Sequence, residues 1–260
     1  MYEPAYVNYH VTRSVPQAFR FDVNGEPGTL EAPELERTRV LVEDLRETSA
    51  GTRFDHDGLV FTSHRSAVET FADSGGWQST YNAELEALLK STIDAQDVQV
   101  FDHTIRVDDP TAYRKPARNV HNDYSTTGAE QRLVDLLGAD TARAYQDGHY
   151  GFVNVWRPLE QPVVSSPLGF IRPRSMQEAD WMTIDLVYPD RRGEILGVAP
   201  SPTHEWVYLS QMTPAEVAIF SVYDNGARPH IAHSALDLDD EATRLQVRKS
   251  IESRTLVRYR

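Results

Sequence analysis

The sequence predicts an α+β fold that is mainly β: a jelly roll or barrel of two sheets, braced by helices from the N-terminal part. Two observations predict this fold. From residue 150 onward the chain carries short runs rich in Val, Ile, Tyr and Trp, separated by Pro, Gly and Asp clusters. The segments with helical spacing of apolar residues come before residue 150.

The strands predicted in the second half alternate between two faces. In the first of them, Phe152, Asn154 and Trp156 share one face, and Val153 and Val155 share the other. Turn-forming residues separate this strand from the later ones. The later predicted strands are Trp181–Tyr188, Trp206–Leu209, Val217–Tyr223, His233–Leu238 and Ile251–Tyr259.

The first half mixes strands and helices. Extended segments are predicted at Tyr6–Val11, Gly58–Thr62 and Val98–Val107, and helices at Ala67–Ala72, Asn82–Ile93 and Thr127–Tyr145. No linker, repeat or low-complexity tract divides the chain. We therefore expect one domain of residues 1–260, with residues 1–100 as a helical and mixed elaboration and residues 101–260 as the jelly-roll core.

Composition excludes several classes of function. The 26 basic and 39 acidic residues give a formal net charge of −13, which argues against a nucleic-acid or anionic-membrane partner. The absence of cysteine excludes disulfides, thiolate zinc sites, iron–sulfur clusters and cysteine nucleophiles. No apolar run has the length of a signal peptide or a membrane span, so we expect a cytoplasmic protein acting on a small molecule. Composition leaves the oligomeric state open.

The chain contains one His-x-Asp triplet, formed by His121 and Asp123. On an extended strand these two side chains point to the same face. They would supply two of the three ligands of a 2-His-1-carboxylate triad, the site typical of non-haem Fe(II) oxygenases. His230 and His233 are the candidates for the third ligand. We favour His233, because it lies nearer a predicted strand while His230 lies at a loop end.

A second pattern follows fifteen residues after His233, where Arg248 and Ser250 begin the last predicted strand. The guanidinium can bind a carboxylate through two hydrogen bonds, and the hydroxyl two residues on lies on the same face and can add a third. This arrangement suits the distal carboxylate of 2-oxoglutarate in a jelly roll. Arg254 shares that face and can bind 2-oxoglutarate or substrate, or pair with Glu252. The acidic segment Asp237–Glu241 accounts for the length of the intervening hairpin.

Further motifs lie in order around these residues: His121-x-Asp123-Tyr124-Ser125, Val153–Leu159, Pro167-Leu168, Glu205–Tyr208, Tyr223-Asp224, and His233-Ser234-Ala235 with Arg248-x-Ser250-Ile251-Glu252-x-Arg254. Together they resemble the fungal gibberellin-desaturase-like group of Fe(II)/2-oxoglutarate dioxygenases. That group also includes the oxygenase component of cephamycin methoxylation. The resemblance covers about residues 110–260.

The resemblance implies a cupin-like double-stranded β-helix in which His121, Asp123 and His233 are the iron ligands and catalytic centre. It also implies Arg248 and Ser250 at 2-oxoglutarate, with O₂ as the other co-substrate. Two departures from the group can alter the substrate pocket. Arg172 stands where an acidic residue is usual, and His-Ser-Ala-Leu replaces a common Pro-His-Thr-Ala-Phe segment.

Three residues near the predicted metal ligands are candidates for substrate binding. Asn154 faces the predicted interior, and Arg118 and Arg157 flank the strands of the metal site. The two arginines predict a small substrate with a carboxylate, amino-acid-like or another natural product. Structural salt bridges are the alternative for both. For the histidines without a ligand-spaced partner we expect surface or locally bonded positions; they are His10, His56, His64, His103 and His149.

Two classes of function remain open from the sequence. The first is an Fe(II)/2-oxoglutarate oxidoreductase that removes a substrate hydrogen and leads to hydroxylation, desaturation or cyclisation. The second is a cupin-like metal-binding barrel with non-oxidative activity or simple ligand binding. The Arg248–Ser250 pair favours the first class, because a non-oxidative barrel needs no clamp for 2-oxoglutarate.

Overall fold

The computed structural model describes residues 1–26, 29–48, 51–72, 75–239 and 246–260, and it consists mainly of two β-sheets. The α-helices are α1 (Phe54–Asp57), α2 (Gln78–Thr92), α3 (Thr126–Leu137) and α4 (Ala139–Gln146). The strands are β1 (Tyr2–His10), β2 (Gln17–Phe21), β3 (Leu30–Glu31), β4 (Leu35–Asp44), β5 (Leu59–Ser63), β6 (Ala95–Val107), β7 (His121–Asn122), β8 (Tyr150–Pro158), β9 (Leu168–Ile171), β10 (Trp181–Val187), β11 (Arg192–Val198), β12 (Trp206–Tyr208), β13 (Glu216–Asp224), β14 (His233–Ala235), β15 (Asp237–Leu238) and β16 (Lys249–Tyr259).

The larger sheet has eleven strands in the order β15-β1-β4-β12-β9-β14-β7-β11-β10-β2-β3. The smaller sheet has five, in the order β5-β13-β8-β16-β6. Strands distant in sequence are neighbours in both sheets, which is typical of a jelly roll. The antiparallel pairing of β7 with β14 sets His121 directly opposite His233. Directly opposed residues of an antiparallel pair point to the same face.

The two sheets pack face to face around an aromatic core. Phe170 of the larger sheet and Phe220 of the smaller one meet with their ring centroids 5.1 Å apart. Phe152 and Trp156 of β8 belong to the same buried cluster. The alternation predicted for β8 explains this packing, because these two side chains turn inward. The mainly β, two-sheet fold expected from the sequence is confirmed.

The outer face of the smaller sheet is covered by α2. Leu85 and Leu89 of this helix are buried in one cluster with Val153 and Val155, the outward-facing pair of β8. The helix begins and ends close to the limits expected from its apolar spacing. None of the helices in the described ranges has the length and apolar character needed to cross a bilayer.

Some elements differ from the sequence prediction. The predicted helix Ala67–Ala72 is not helical in its described residues, and the predicted helix Thr127–Tyr145 is divided at Gly138. Gly138 has a φ of 75°, a backbone conformation that glycine adopts without strain and that ends α3. The first 60 residues contribute mostly strands, and β1 pairs with β4 within the larger sheet. The predicted hairpin segment Asp237–Glu241 lies partly outside the described residues, and its first two residues form β15.

Candidate metal centre

The structure brings His121, Asp123 and His233 together in the interior between the sheets. One ligand atom from each residue lies within 4.8 Å of the others. The Oδ1 atom of Asp123 is 3.5 Å from Nε2 of His121 and 3.8 Å from Nε2 of His233. The β7–β14 register explains the meeting of the two imidazoles, and the short step from His121 to Asp123 adds the carboxylate.

Each imidazole is oriented by its other ring nitrogen. Nδ1 of His121 lies 2.8 Å from the carbonyl oxygen of Asn119, and Nδ1 of His233 lies 3.4 Å from that of Ile231. A proton on Nδ1 satisfies these contacts and leaves the Nε2 lone pair directed at the centre, the tautomer that a metal ligand needs. Burial and the neighbouring His121 lower the pKa of His233 to about 3, so His233 is neutral at physiological pH.

The carboxylate of Asp123 is held on the side away from the imidazoles. Its Oδ2 atom accepts hydrogen bonds from Nδ2 of Asn154 at 2.9 Å and from Nε of Arg254 at 3.0 Å. Burial alone would raise the pKa of Asp123, but the charge of Arg254 and the contacts with both imidazoles hold it well below its usual range. The ionised carboxylate therefore presents Oδ1 to the centre.

Arg254 is fully engaged in this support. Besides Asp123, it donates to Asp102 at 2.7 Å, to Thr104 at 3.1 Å and to Glu252 at 2.6 Å. We predicted Arg254 as a residue that binds 2-oxoglutarate or substrate, with pairing to Glu252 or another acid as the alternative. The structure shows the pairing, together with a bond to the ligand carboxylate that the strand pattern did not reveal. Asn154, predicted to bind substrate, also lies behind Asp123.

Arg248 lies deep in the interior with only 3% of its surface exposed. Its Nε and Nη2 atoms donate to Oγ of Ser250 at 3.2 and 2.9 Å, and Nη1 donates to the carbonyl oxygen of Ser166. Among the described residues, no carboxylate lies within 4.0 Å of it. Burial, with the nearby charge of Arg106, lowers the pKa of Arg248 to about 9, so it stays a cation at neutral pH.

A narrow cavity connects the two imidazoles to Arg248. Its wall includes His121, His233, Trp156 and Arg248. Arg106 also lines it, and sequence reasoning missed this residue. The predicted strand Val98–Val107 contained Arg106, but only the pairing of β6 with β16, which sets it opposite Ser250, shows which interior it faces.

The donor set fits Fe(II). Two imidazole nitrogens and one ionised carboxylate oxygen converge from one side, and three protein ligands would leave room for further ligands at the metal. Each donor is oriented by a hydrogen-bonded partner, as the ligands of functional metal sites usually are.

The two arginines predicted to bind substrate lie elsewhere. Arg118 forms ion pairs of 3.0 Å with both Asp108 and Asp237. Arg157 turns to the outer face of the smaller sheet, where Nη2 donates to His64. For Arg118 the structure thus shows the salt bridges that were the alternative, and for Arg157 it shows a position outside the triad cavity.

Other residues singled out in the sequence also have clear positions. His230 packs its ring against Trp181, with the centroids 5.1 Å apart, so it does not join the triad. Arg172 forms a 2.9 Å ion pair with Glu43. The expectation that His10 is exposed or locally bonded is wrong. Its ring is completely buried, and neither nitrogen has a hydrogen-bond partner among the described residues.

The fold and the site define a non-haem Fe(II)- and 2-oxoglutarate-dependent dioxygenase, and comparison with known proteins supports this class. The chain belongs to the family described as the oxidoreductase/YMDC permease-like domain, whose model matches residues 6–258. It is similar to the hydroxylase/desaturase efuI of Hormonema carpetanum, with 30% identity over 251 residues that cover 84% of this chain and 82% of that protein.

Two further comparisons agree with this class. The Fe(II)/2-oxoglutarate-dependent dioxygenase nvfI of Aspergillus novofumigatus is 30% identical over 191 residues, which cover 71% of this chain and 68% of that protein. A solved structure of the iron and alpha-ketoglutarate-dependent endoperoxidase NvfI superposes with a TM-score of 0.86 at 21% identity, covering 99% of this chain and 97% of that one. The predicted jelly roll is confirmed, and Fe(II), 2-oxoglutarate and O₂ are the cofactor and co-substrates.

Replacing Arg254 by Met should destabilise the protein and weaken its affinity for iron. The change leaves the buried carboxylates of Asp123 and Glu252 without their cation, which costs about 3 kcal/mol or more in the free energy of unfolding. Loss of the hydrogen bond to the ligand carboxylate should weaken metal binding by about 10–100-fold.

Urea unfolding and anaerobic iron titration measure the two effects. Arg143→Met is the matched control, because Arg143 forms an exposed ion pair with Asp140. If Arg254→Met bound iron as tightly as the control, Arg254 would have no role in orienting Asp123.

Proposed function

We propose that the chain binds one Fe(II) through His121, Asp123 and His233 and holds 2-oxoglutarate between this centre and Arg248. The observation that carries the proposal is the single narrow cavity whose wall includes both imidazoles and the buried guanidinium. A molecule with a metal-binding group at one end and a carboxylate at the other suits such a cavity.

The charge at Arg248 explains why a carboxylate would bind there. A buried cation without a counter-ion is costly, and a carboxylate able to accept two hydrogen bonds from a guanidinium offsets that cost. Ser250 accepts from Arg248 in the structure, and its own hydroxyl proton remains available for a bound carboxylate oxygen. The cation of Arg106 in the same wall adds to the attraction for a dianionic co-substrate.

Bound Fe(II) would supply the activation of O₂, coupled to conversion of 2-oxoglutarate to succinate and CO₂ and to removal of a substrate hydrogen. The residues of the chain supply position and polarity. Asn154 and Arg254 fix the carboxylate of Asp123, and the backbone carbonyls of residues 119 and 231 fix the two rings. The whole chain, residues 1–260, would act as a single dioxygenase domain.

We propose a small natural product as the substrate, with hydroxylation, desaturation or cyclisation as the outcome. The relatives named hydroxylase/desaturase support this class, and so does the resemblance to the gibberellin-desaturase-like and cephamycin-methoxylation group. An amino-acid-like substrate loses its predicted support, since Arg118 and Arg157 are engaged elsewhere.

The non-oxidative metal barrel is the weaker alternative. It would leave Arg248 buried without a function and without a carboxylate in ion-pairing distance among the described residues, its hydrogen bonds going to the neutral acceptors of Ser250 and Ser166. It also disagrees with the named activities of the relatives.

Replacing His121, Asp123 or His233 by Ala should remove bound Fe(II), since each supplies one of three protein ligands. Anaerobic titration with Fe(II) measures the loss. His230→Ala is the matched control and should keep the metal, because His230 packs on Trp181. Full iron binding by His233→Ala, together with loss in His230→Ala, would show that the third ligand is misassigned.

Replacing Arg248 by Gln should weaken 2-oxoglutarate binding while iron stays bound. Truncating one partner of a buried charged pair costs about 2–5 kcal/mol, which corresponds to roughly 30-fold or more in Kd. Titration of the anaerobic Fe(II) protein with 2-oxoglutarate gives the affinity. Arg118→Gln serves as the control, because two carboxylates already neutralise that cation. An unchanged affinity in Arg248→Gln would remove the proposed clamp.

The substrate class can be tested by succinate release in the presence of Fe(II) and 2-oxoglutarate. Natural products without a carboxylate should stimulate release more than free amino acids, because Arg118 and Arg157, the cations predicted to bind a carboxylate, are engaged elsewhere. Arg118→Gln should leave the KM for the stimulating compound unchanged. Stimulation by amino acids alone, with a raised KM in Arg118→Gln, would restore the carboxylate substrate predicted from the sequence.

A further inference from the structure

We propose that a second cavity, on the outer face of the smaller sheet, binds a small molecule carrying a carboxylate or phosphate through Arg157. The cavity has a volume of about 510 Å³, which lies within the usual range for small-molecule sites. It lies between the end of β8 and the segment of residues 65–71. This site is separate from the iron centre and does not depend on the function proposed for that centre.

The alternation of β8 places this cavity on the opposite side of the sheet from the triad. Trp156 turns inward and lines the cavity next to His121. Arg157 follows it and turns outward, toward the side covered by α2. Arg248, directly before β16, and Lys249, its first residue, divide in the same way. The two cavities have no lining residue in common.

Arg157 is a buried cation without a counter-ion. Only 1% of its surface is exposed. Its Nη2 atom donates to Nδ1 of His64 at 2.7 Å and to the carbonyl oxygen of His64 at 2.6 Å, and both acceptors are neutral when Nδ1 accepts. Its Nε has no hydrogen-bond partner in the described part of the chain. No carboxylate among the described residues lies within 4.0 Å of the guanidinium.

This arrangement is unusual because the protein carries a formal charge of −13 and has many acids to offer. The acid that affects Arg157 electrostatically, Glu84, directs its two oxygens to Oγ of Ser66 and the backbone N–H of Ala67, at 2.6 and 2.8 Å. A guanidinium taken out of water and left unpaired is costly. An anion entering the cavity would offset that cost and occupy the unused donors.

The other charges in the cavity support an anionic ligand. Arg65 is an exposed residue in the lining, and no ion pair of it is found among the described residues. Lys249 also lines the cavity and is matched by Glu160 at 2.5 Å. Glu69 is the other acid of the wall. The wall thus holds three cationic side chains and two anionic ones.

Most of the remaining wall is apolar, apart from the hydroxyl residues Ser66, Thr70 and Thr213. It includes Val68, Phe71, Leu159 and Pro214. A ligand with an anionic head at Arg157 and a short apolar body would use both parts of the cavity.

Inorganic phosphate and octanoate are suitable probes, because one offers only an anionic head and the other adds an apolar tail to a carboxylate. Calorimetric titration of the full-length protein measures binding of each probe, and the Arg248→Gln variant reports any probe that is held at the iron centre instead. We expect at least one probe to bind. Preference for octanoate would identify a carboxylate ligand with an apolar body, and preference for phosphate would identify a phosphorylated ligand.

Arg157→Gln should weaken binding of the preferred probe by at least about tenfold, because the buried charge is lost. Arg157→Lys should restore part of the affinity. Arg248→Gln is the matched control on the other face of the sheet and should leave the affinity for the probe unchanged. If Arg157→Gln does not fold, Arg65→Ala with Lys249→Ala at the cavity should still weaken binding several-fold, measured against the exposed control Arg143→Ala.

Three results would overturn the proposal: no binding of either probe to the wild-type protein at millimolar concentration, unchanged affinity in the cavity variants, or loss of binding in Arg248→Gln. The last result would place the probe at the iron centre. None of these outcomes bears on whether the triad binds Fe(II), which the His121, Asp123 and His233 variants test separately.

Discussion

The contact between Arg254 and Asp123 joins the two halves of the molecule at the point where the chemistry takes place. Arg254 belongs to β16 of the smaller sheet, and Asp123 follows β7 of the larger one. The proposed iron ligands lie on or directly after strands of the larger sheet, while the groups that orient the carboxylate of Asp123, Asn154 and Arg254, come from the smaller. The metal centre therefore requires the sheets to pack in one relative position. A shift of either sheet would break the hydrogen bonds to Asp123.

Three arginines in or beside the smaller sheet, Arg254, Arg248 and Arg157, differ in whether a carboxylate lies within ion-pairing distance of them. Arg254 is surrounded by carboxylates, so its role is structural support for Asp123. Arg248 and Arg157 are buried on opposite faces of the smaller sheet without a carboxylate within ion-pairing distance in the described residues. Burial of an unpaired cation opposes folding, and in a strongly acidic chain this is why we propose an external anion at each of these two positions.

The parts of the site that could be predicted from sequence are those that depend on local geometry. The pairs His121 with Asp123 and Arg248 with Ser250 were predicted from the two-residue repeat of a strand, and each pair does lie close together, although Asp123 lies just after β7 and Arg248 just before β16. The inward turn of Trp156 follows from the same repeat. Residues whose role depends on a distant partner were missed or misassigned. Arg118 is neutralised by Asp108 and Asp237, and the latter is 119 positions away in the chain.

In the fold, too, elements defined by local spacing could be predicted from the sequence, and elements defined by distant partners could not. The helix α2 was predicted closely, because apolar spacing within one segment defines it. The strand β4 was not predicted, since its sequence is rich in charged residues and about half of its side chains are exposed. Its place in the larger sheet depends on pairing with β1 and β12, which no local pattern encodes. Non-local pairing decides the order of the strands within each sheet, whereas sequence patterns indicate mainly which segments are strands.

Gly197 shows how such non-local contacts shape the surroundings of the metal centre. It lies opposite His121 in the antiparallel β7–β11 pair. A side chain at residue 197 would therefore point to the same face of the sheet as His121. A Cβ placed there would come within 2.7 Å of the ring of His10 and 2.9 Å of the side chain of Ile184. The glycine thus makes room for a buried imidazole beside His121, and burial, with His121 close by, lowers the pKa of His10 to about 4. His10 is therefore neutral and lies beside His121. Its ring fits there because residue 197, which is 187 positions further along the chain, is a glycine.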